Sequence, residues 1–218
     1  MLNQKGTPFK TIVIDPPWKF IGGGNRNPDQ HYDAMKLKDI IPLCKDTLDN
    51  YNIEDNAHCY IWCINMHIDK ALDLMKELGF EYKTNIAWVK NSFGLGYYFR
   101  GQHELCLFGV KGKGSQVRTG HKNVSSVIKA KKRKHSQKPD EFYDLVEKRS
   151  FGPYLELFSR HTRKGWTMWG NEVGKLDDPI DEPSIGEVLD LYPPSNGPLE
   201  ERNIWTEDRA KKTIVKVR

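Results

Sequence analysis

The sequence lacks the features of a membrane protein and of a secreted, disulfide-linked domain. None of its apolar runs reaches the length of a membrane span, and Met1–Lys5 does not lead into the apolar core of a signal peptide. The four cysteines form no Cys-x-x-Cys pair, so we expect reduced, buried thiols and no metal site. These absences favour a cytoplasmic protein, and 218 residues with 38% hydrophobic content predict one domain with an ordinary core.

Acidic residues are absent from Lys111–Lys138, here named the acid-free segment, although it contains ten Lys/Arg residues. Few apolar residues occur there, so we expect an exposed loop. Because nucleic-acid affinity comes largely from Lys and Arg that neutralise phosphates, the segment is predicted to contact a nucleic-acid backbone; a merely solvated surface is the alternative. We assign the phosphate contacts to Lys122, Lys129, Lys131, Lys132, Arg133 and Lys134.

Basic residues are absent from Leu176–Glu201, where eight Asp/Glu residues and five of the twelve prolines occur. A segment of this composition has little apolar surface to bury, which favours an extended or partly disordered conformation. We therefore divide the chain into a folded domain, residues 1–175, and an acidic, Pro-rich C-terminal tail, residues 176–218. The net charge of the whole chain, +5, permits an anionic partner without requiring one.

Short apolar runs alternate with amphipathic helical patterns along the folded domain. Strands are predicted at Thr11–Ile14, Ala57–Trp62, Tyr82–Lys90, Glu104–Val110, Tyr154–Phe158 and around Trp166. Helices are predicted at Lys36–Asn50, from about Asp69 to Gly79, and after Pro139. This alternation predicts an α/β sheet with helices on both faces, in which ligands bind beyond the carboxyl ends of the strands.

The first predicted strand ends in Asp15-Pro16-Pro17-Trp18. The prolines fix their own φ angles and force the residues before them into extended conformations. Since neither proline has an N–H, this corner presents acceptors, the Asp15 carboxylate and the Pro16 carbonyl. Two acceptors suit a group with two N–H donors, such as the exocyclic amine of a nucleobase, and Trp18 offers a face for an unstacked base. The alternative is a plain turn after a strand.

The exocyclic amine of a nucleobase is a poor nucleophile because its lone pair is delocalised into the ring. Hydrogen bonds to Asp15 and Pro16 would favour a pyramidal amine whose lone pair is directed at an electrophile. The ordinary pKa of an aspartate is too low for proton uptake, so Asp15 is expected to orient the amine and to stabilise developing positive charge. Tyr32 is either a second wall of the base pocket or a packing residue at a helix start.

Polar side chains also follow two later strands: Arg160 and His161 come after one, and Asn171 and Glu172 come after the next. The carboxyl ends of parallel strands meet at one edge of a sheet, where polar ligand groups are bound. Lys138 precedes a predicted helix and could meet the carboxylate of a bound cofactor. These positions predict a polar ligand site at the same edge of the sheet as the corner.

Six spaced motifs occur together in one order. They are Asp15-Pro16-Pro17-Trp18, His58-x-x-Ile61-Trp62, Ile86–Lys90, Gln102–Gly112, His135-Ser136-x-Lys138-Pro139-Asp140-Glu141, and Glu156-Leu157-Phe158-x-Arg160 with Trp166 and Gly170-Asn171. As a set they resemble the MT-A-type N6-adenine methyltransferases, a group that includes the catalytic subunit of the eukaryotic messenger-RNA adenosine methyltransferase. The resemblance extends from Thr11 to Glu172.

The resemblance implies a Rossmann-like class I methyltransferase fold with a mostly parallel seven-stranded sheet, in which the catalytic motif precedes the cofactor motif. It also implies S-adenosylmethionine as methyl donor and adenine N6 as acceptor. By motif position, Asp15, Pro16, Pro17 and Trp18 would form the catalytic corner, and Trp18 and Tyr32 the base pocket. The cofactor is assigned to Asp15, Ser136, Lys138, Phe158, Arg160, His161, Asn171 and Glu172.

The resemblance favours a bacterial or phage-type enzyme that methylates DNA and flips the adenine out of the duplex. DNA is preferred because the chain is compact and lacks the additional regions of the messenger-RNA enzymes. Three alternatives stay open: cytosine-N4 methylation, RNA adenosine-N6 methylation, and a non-catalytic nucleic-acid-binding subunit. The sequence also leaves open whether the chain acts alone, as a homodimer or with a partner subunit.

Overall fold

The computed structural model describes residues 6–19, 34–94, 98–133 and 137–177. Seven strands occur there: β1 (Phe9–Ile14), β2 (Ile53–Cys63), β3 (Glu81–Val89), β4 (His103–Lys111), β5 (Val127–Lys129), β6 (Tyr154–Leu157) and β7 (Trp166–Trp169). The α-helices of the same residues are α1 (Leu37–Asn50), α2 (Ile68–Glu77) and α3 (Asp140–Arg149). The alternation of strands and helices predicted from the sequence is confirmed.

All seven strands form one sheet in the order β5-β3-β4-β2-β1-β6-β7. Strand β4 runs antiparallel to both β2 and β3, and the other neighbouring pairs are parallel. The predicted Rossmann-like fold with a mostly parallel seven-stranded sheet is therefore confirmed. Because β1 lies between β2 and β6, its carboxyl end is in the middle of the sheet, where side chains from several strands can meet.

The core has two layers because successive side chains of a strand point to opposite faces of the sheet. Ile12 and Ile14 of β1 belong to the layer beneath α1 and α2, while Val13 belongs to the layer beneath α3. All three side chains are fully buried, and each such burial contributes roughly 1.5–3 kcal/mol. The prediction of helices on both faces is confirmed, and the central strands are fixed by packing on both sides.

The acid-free segment is not entirely the loop that its composition predicts. Val127–Lys129 forms β5, which pairs with β3 at the edge of the sheet. Val127 and Lys129 are exposed, whereas Ile128 is 5% exposed and belongs to the core layer beneath α3. The prediction was wrong here because one inward-facing apolar residue is enough to anchor a short edge strand, and a composition average hides it.

Several sequence predictions concern residues that the model does not describe. Tyr32, Lys134 and Ser136 lie outside the described residues, as does the predicted tail from residue 178 onward. The described part of the chain includes all four cysteines, and their thiols are buried, as predicted. None of the described helices has the length and apolar character that a bilayer span requires.

Candidate active site

The corner Asp15-Pro16-Pro17-Trp18 follows β1 at the centre of the sheet. The Asp15 N–H donates to the Leu157 carbonyl of β6 at 3.2 Å, which continues the strand pairing by one residue. The Pro16 carbonyl accepts the Trp18 N–H at 2.8 Å, and the Pro17 carbonyl accepts the Met35 N–H at 2.8 Å. A carbonyl oxygen has two lone pairs, so Pro16 keeps one acceptor position beyond the turn.

The Trp18 side chain is buried, and this corrects the prediction that its face is open to a base. The indole is 5% exposed, belongs to the core layer beneath α1 and α2, and donates its Nε1–H to the Trp62 carbonyl at 2.8 Å. The large ring buries more apolar area in the core than it would in a shallow surface pocket. In the structure Trp18 therefore fixes the corner to β2.

Lys138 forms an ion pair with the catalytic candidate Asp15. The Lys138 Nζ lies 2.8 Å from Asp15 Oδ2 and 3.8 Å from Glu104 Oε2. The Lys138 side chain is 8% exposed and the Asp15 side chain is 20% exposed. Burial raises the pKa of Asp15, and the positive charge of Lys138 opposes that effect. Sequence analysis assigned Lys138 to a cofactor carboxylate, and the structure gives it protein carboxylates as partners.

Glu104 extends this ion pair into a chain of alternating charges. Its carboxylate contacts both Lys138 and Lys90, and Lys90 lies over the Trp88 ring at 4.7 Å. Burial by itself would raise the pKa of Glu104, but Lys138 and Lys90 lower it below its ordinary value. Sequence analysis included Glu104 in a motif without assigning it a role, since its partners are 14 and 34 positions away and only the fold brings them together.

Glu156 is a buried carboxyl group that sequence analysis also did not assign. It lies on β6 opposite Val13, is 2% exposed, and accepts the Tyr143 hydroxyl at 3.0 Å. Its other oxygen, Oε2, has no hydrogen-bond partner among the described residues. Burial, with the Asp15 charge as a second cause, raises the pKa of Glu156 to about 8. A charged residue within the apolar run Tyr154–Phe158 was the signal that could have identified it.

The ends of β6 and β7 approach closely because a glycine stands at the end of β7. A Cβ atom on Gly170 would lie 2.8 Å from the Ser159 carbonyl oxygen, so a side chain there would displace the backbone. Phe158 has a φ of 62°, a left-handed conformation that a bulky residue adopts at a cost of roughly 1–2 kcal/mol. Such strain is typical of functional sites, which makes the end of β6 a candidate part of this one.

The four polar residues predicted beyond β6 and β7 take different positions. The Arg160 Nε lies 2.8 Å from Glu172 Oε2, so these two form an ion pair. His161 packs edge-on against Tyr143 at 4.8 Å, and its buried Nε2 makes no hydrogen bond to the described residues. Burial lowers the pKa of His161, so a neutral imidazole is favoured. Asn171 is exposed on the turn after β7.

The predicted phosphate-contacting residues separate into two groups. Lys129 ends β5, and the exposed residues Lys131, Lys132 and Arg133 follow it at the carboxyl edge of the sheet. Lys132 is close enough for its charge to lower the pKa of Glu104, while Arg133 lies 2.5 Å from Asp140. Lys122 is exposed elsewhere, and its carbonyl accepts a hydrogen bond from Arg149 at 3.4 Å.

Comparison with known proteins gives one consistent result. The MT-A70 family model matches residues 9–172. Type II methyltransferase M.MunI of Mycoplasma sp is 28% identical over 205 residues, and the alignment covers 83% of each protein. N(6)-adenosine-methyltransferase catalytic subunit METTL3 of Homo sapiens is 27% identical over 199 residues, which are 85% of this chain and 31% of that protein. The chain therefore spans less than a third of the length of that relative.

The matched region and the geometry agree. The match begins at the first residue of β1, ends just beyond β7, and so contains all seven strands and the corner. It also contains the buried and half-buried ionisable side chains of Asp15, Lys138, Glu104 and Glu156. The chain belongs to the MT-A70 family of adenine-N6 methyltransferases.

Proposed function

We propose that this protein transfers a methyl group from S-adenosylmethionine to the N6 amine of adenine in nucleic acid, with DNA as the substrate. The observation that carries the proposal is the corner after β1, where a carboxylate and a carbonyl are fixed in the middle of a parallel sheet. The Asp15 carboxylate is 20% exposed and paired with Lys138, and the Pro16 carbonyl retains a lone pair.

The two acceptors are matched to the two N–H donors of the adenine amine. Hydrogen bonds to Asp15 and Pro16 orient the amine lone pair and stabilise the positive charge that develops on nitrogen. Burial and the prolines hold these oxygens in place before the substrate arrives, so little reorganisation is needed. Trp18 supports the corner through its hydrogen bond to Trp62.

The polar residues around the corner fit the groups of S-adenosylmethionine. The Lys138 ammonium suits a carboxylate, the buried carboxyl oxygen of Glu156 suits a hydroxyl group, and Arg160 with Glu172 suits a ribose. Glu156 Oε2 has no hydrogen-bond partner among the described residues, and this favours a bound polar ligand because buried polar atoms are rarely left without partners. When bound, this cofactor supplies a methyl group on a sulfonium.

The likeness to type II methyltransferase M.MunI favours DNA over RNA, because that alignment covers 83% of both proteins. The exposed residues Lys129, Lys131 and Lys132 lie at the carboxyl edge, where they can neutralise phosphates beside a flipped base. Nucleosides from methylated DNA and RNA, separated by chromatography, distinguish adenine-N6 methylation in either polymer from cytosine-N4 methylation.

The decisive experiment replaces Asp15 by asparagine, which keeps the shape and removes the negative charge. We expect methyl transfer to adenine-containing DNA to fall about a hundredfold or more, because the charge that stabilises the amine is lost. Asp144→Asn is the matched control, since Asp144 is 69% exposed on α3 and makes its ion pair with Arg163. Activity near the wild-type level in Asp15→Asn would reject the proposal.

A further inference from the structure

A second concave site lies on the α3 side of the sheet, away from the corner. It is a cavity of about 550 Å³, within the size range of small-molecule sites. His58 and Tyr60 of β2 are part of its lining. His58 is paired with Thr11, four residues before Asp15, so the cavity lies roughly 13 Å along the strands from the corner, toward their amino-terminal ends.

The charge of this cavity is positive. Among the described residues that line it, the charged side chains are Glu81, Lys83, Arg118 and Arg149. Glu81 and Lys83 are 2.5 Å apart and neutralise each other. Neither arginine makes an ion pair with a carboxylate in the described part of the chain. Two positive charges remain, which matches the charge of a phosphate monoester.

His58 does not add to this charge. Its Nε2 contacts the Gly114 carbonyl at 2.8 Å, and because that oxygen can only accept, Nε2 holds the proton and Nδ1 accepts from Ser150 at 2.7 Å. Burial, together with the charges of Arg149 and Arg118, lowers the pKa of His58 to about 4 against the effect of the Gly114 hydrogen bond. Both guanidinium groups are thus near one neutral imidazole.

The remaining walls suit a planar ring and hydroxyl groups. Phe108 keeps part of its ring exposed in the cavity while packing against His58 at 4.9 Å and Tyr60 at 5.0 Å. Ser115 and Ser126, from the acid-free segment, add hydroxyl groups to the lining. An aromatic wall, hydroxyls and two arginines are the groups that contact the base, the sugar and the phosphate of a nucleotide.

We propose that this cavity is a nucleotide-binding site, in which Arg118 and Arg149 bind the phosphate and Phe108 contacts the base. The acid-free segment supports this assignment, since it supplies Arg118 and both serines and has no carboxylate that would repel a phosphate. The site is separate from the corner and does not depend on methyl transfer. The nucleotide is either a free mononucleotide or one unit of a bound strand.

The test is calorimetric titration of the full chain with adenosine 5′-monophosphate. We expect saturable binding that is weakened about tenfold or more in the double variant Arg118→Gln/Arg149→Gln, because two charge-assisted hydrogen-bonding groups are lost. Adenosine, which has no phosphate, should bind more weakly by a similar factor. Lys148→Gln is the control for loss of a cation from α3: it removes one positive charge at an exposed position outside the lining.

Two further variants decide where the nucleotide binds. Ser126→Trp fills the cavity without changing its charge and should also weaken binding, whereas Asp144→Asn, at an exposed position outside the lining, should leave the affinity unchanged. No saturable heat with millimolar nucleotide, or equal affinity in the wild type and the double arginine variant, would overturn the proposal, and so would equal affinity in the wild type and Ser126→Trp. Competition by a 5′-phosphorylated single-stranded oligonucleotide identifies the ligand as a strand unit, and absence of competition identifies a free nucleotide.

Discussion

The two ends of the sheet differ in whether their buried polar groups have hydrogen-bond partners. At the amino-terminal end, Ser150 joins the Tyr60 hydroxyl and His58 through contacts of 2.7 Å each, so the buried groups satisfy one another. At the carboxyl-terminal end, the charges of Asp15 and Lys138 are paired, but Glu156 Oε2 has no partner among the described residues.

This difference separates structural polar groups from functional ones. A network that only stabilises the fold closes on itself, because each unmade hydrogen bond costs about 1–3 kcal/mol. A site that binds a ligand keeps donors or acceptors for that ligand and is less stable without it. On this basis we place the proposed chemistry at the carboxyl-terminal end. At the amino-terminal end, Arg118 and Arg149, which have no carboxylate partner among the described residues, lie at the cavity, separate from the closed buried network.

The largest stability effect is expected from Lys138→Met. This change leaves Asp15 and Glu104 without their shared cation, and breaking a buried pair in this way costs about 3 kcal/mol. Urea unfolding measures the loss, with the exposed Lys148→Met as control. The same substitution should cost less in an Asp15→Asn background. Equal costs in both backgrounds would contradict the idea that Lys138 is held by Asp15.

A smaller loss is expected from Ser150→Ala at the other end of the sheet. The His58 Nδ1 and the Tyr60 hydroxyl lose their common partner, which should cost about 2 kcal/mol in urea unfolding. Methyl transfer per folded molecule should stay near the wild-type level. Ser92→Ala, at an exposed position, controls for removal of a hydroxyl group. A loss of methyl transfer per folded molecule would contradict a purely structural role for this hydrogen-bond network.

Glu156→Gln should stabilise the folded protein, unlike the two preceding substitutions. The pKa of Glu156 is raised in the folded state to about 8, so the folded protein binds its proton more tightly than the unfolded chain does. That contribution to stability is complete below the ordinary pKa of 4.5 and is lost as the pH rises through 8. A glutamine does not ionise, so at pH 8 we expect the variant to be more stable than the wild type by more than about 1 kcal/mol.

The measurement for Glu156→Gln is urea unfolding of both proteins at several pH values between 5 and 8. Glu147→Gln is the control and should destabilise the protein. Burial by itself would raise the pKa of Glu147, but Arg163 and Trp166 lower it below its ordinary value. In a separate activity assay, methyl transfer by Glu156→Gln should decrease. Parallel pH profiles for the wild type and Glu156→Gln would show that this carboxyl group is not held in its neutral form.

The sequence alone was sufficient for the corner and for the order of the strands and helices, except for β5. Strands such as Thr11–Ile14 could be predicted because a run of β-branched residues that ends at a proline-rich corner favours an extended conformation. The six spaced motifs identified the family for the same reason, since each is a local pattern. Residues whose partners are distant in the sequence, such as Glu104 and Lys138, could not be assigned roles in this way.

The open face predicted for Trp18 shows why a side chain's environment is harder to predict than its position. The sequence placed Trp18 at the end of β1, and the structure agrees. Whether the ring lies in the core or in a pocket depends on the carbonyl of Trp62, which is 44 positions away. Nothing in the sequence next to Trp18 specifies that neighbour.

By itself the sequence determined an α/β sheet, a proline-fixed corner after its first strand, and an acid-free segment. Each follows from local chemistry: proline geometry, strand periodicity and composition. Only the tertiary structure decided which charges are paired, that Glu156 is buried beside Asp15, and that Arg118 and Arg149 share a cavity. Strand pairing and helix packing bring these residues together from distant positions, and electrostatic energies depend on distance and burial rather than on order in the chain.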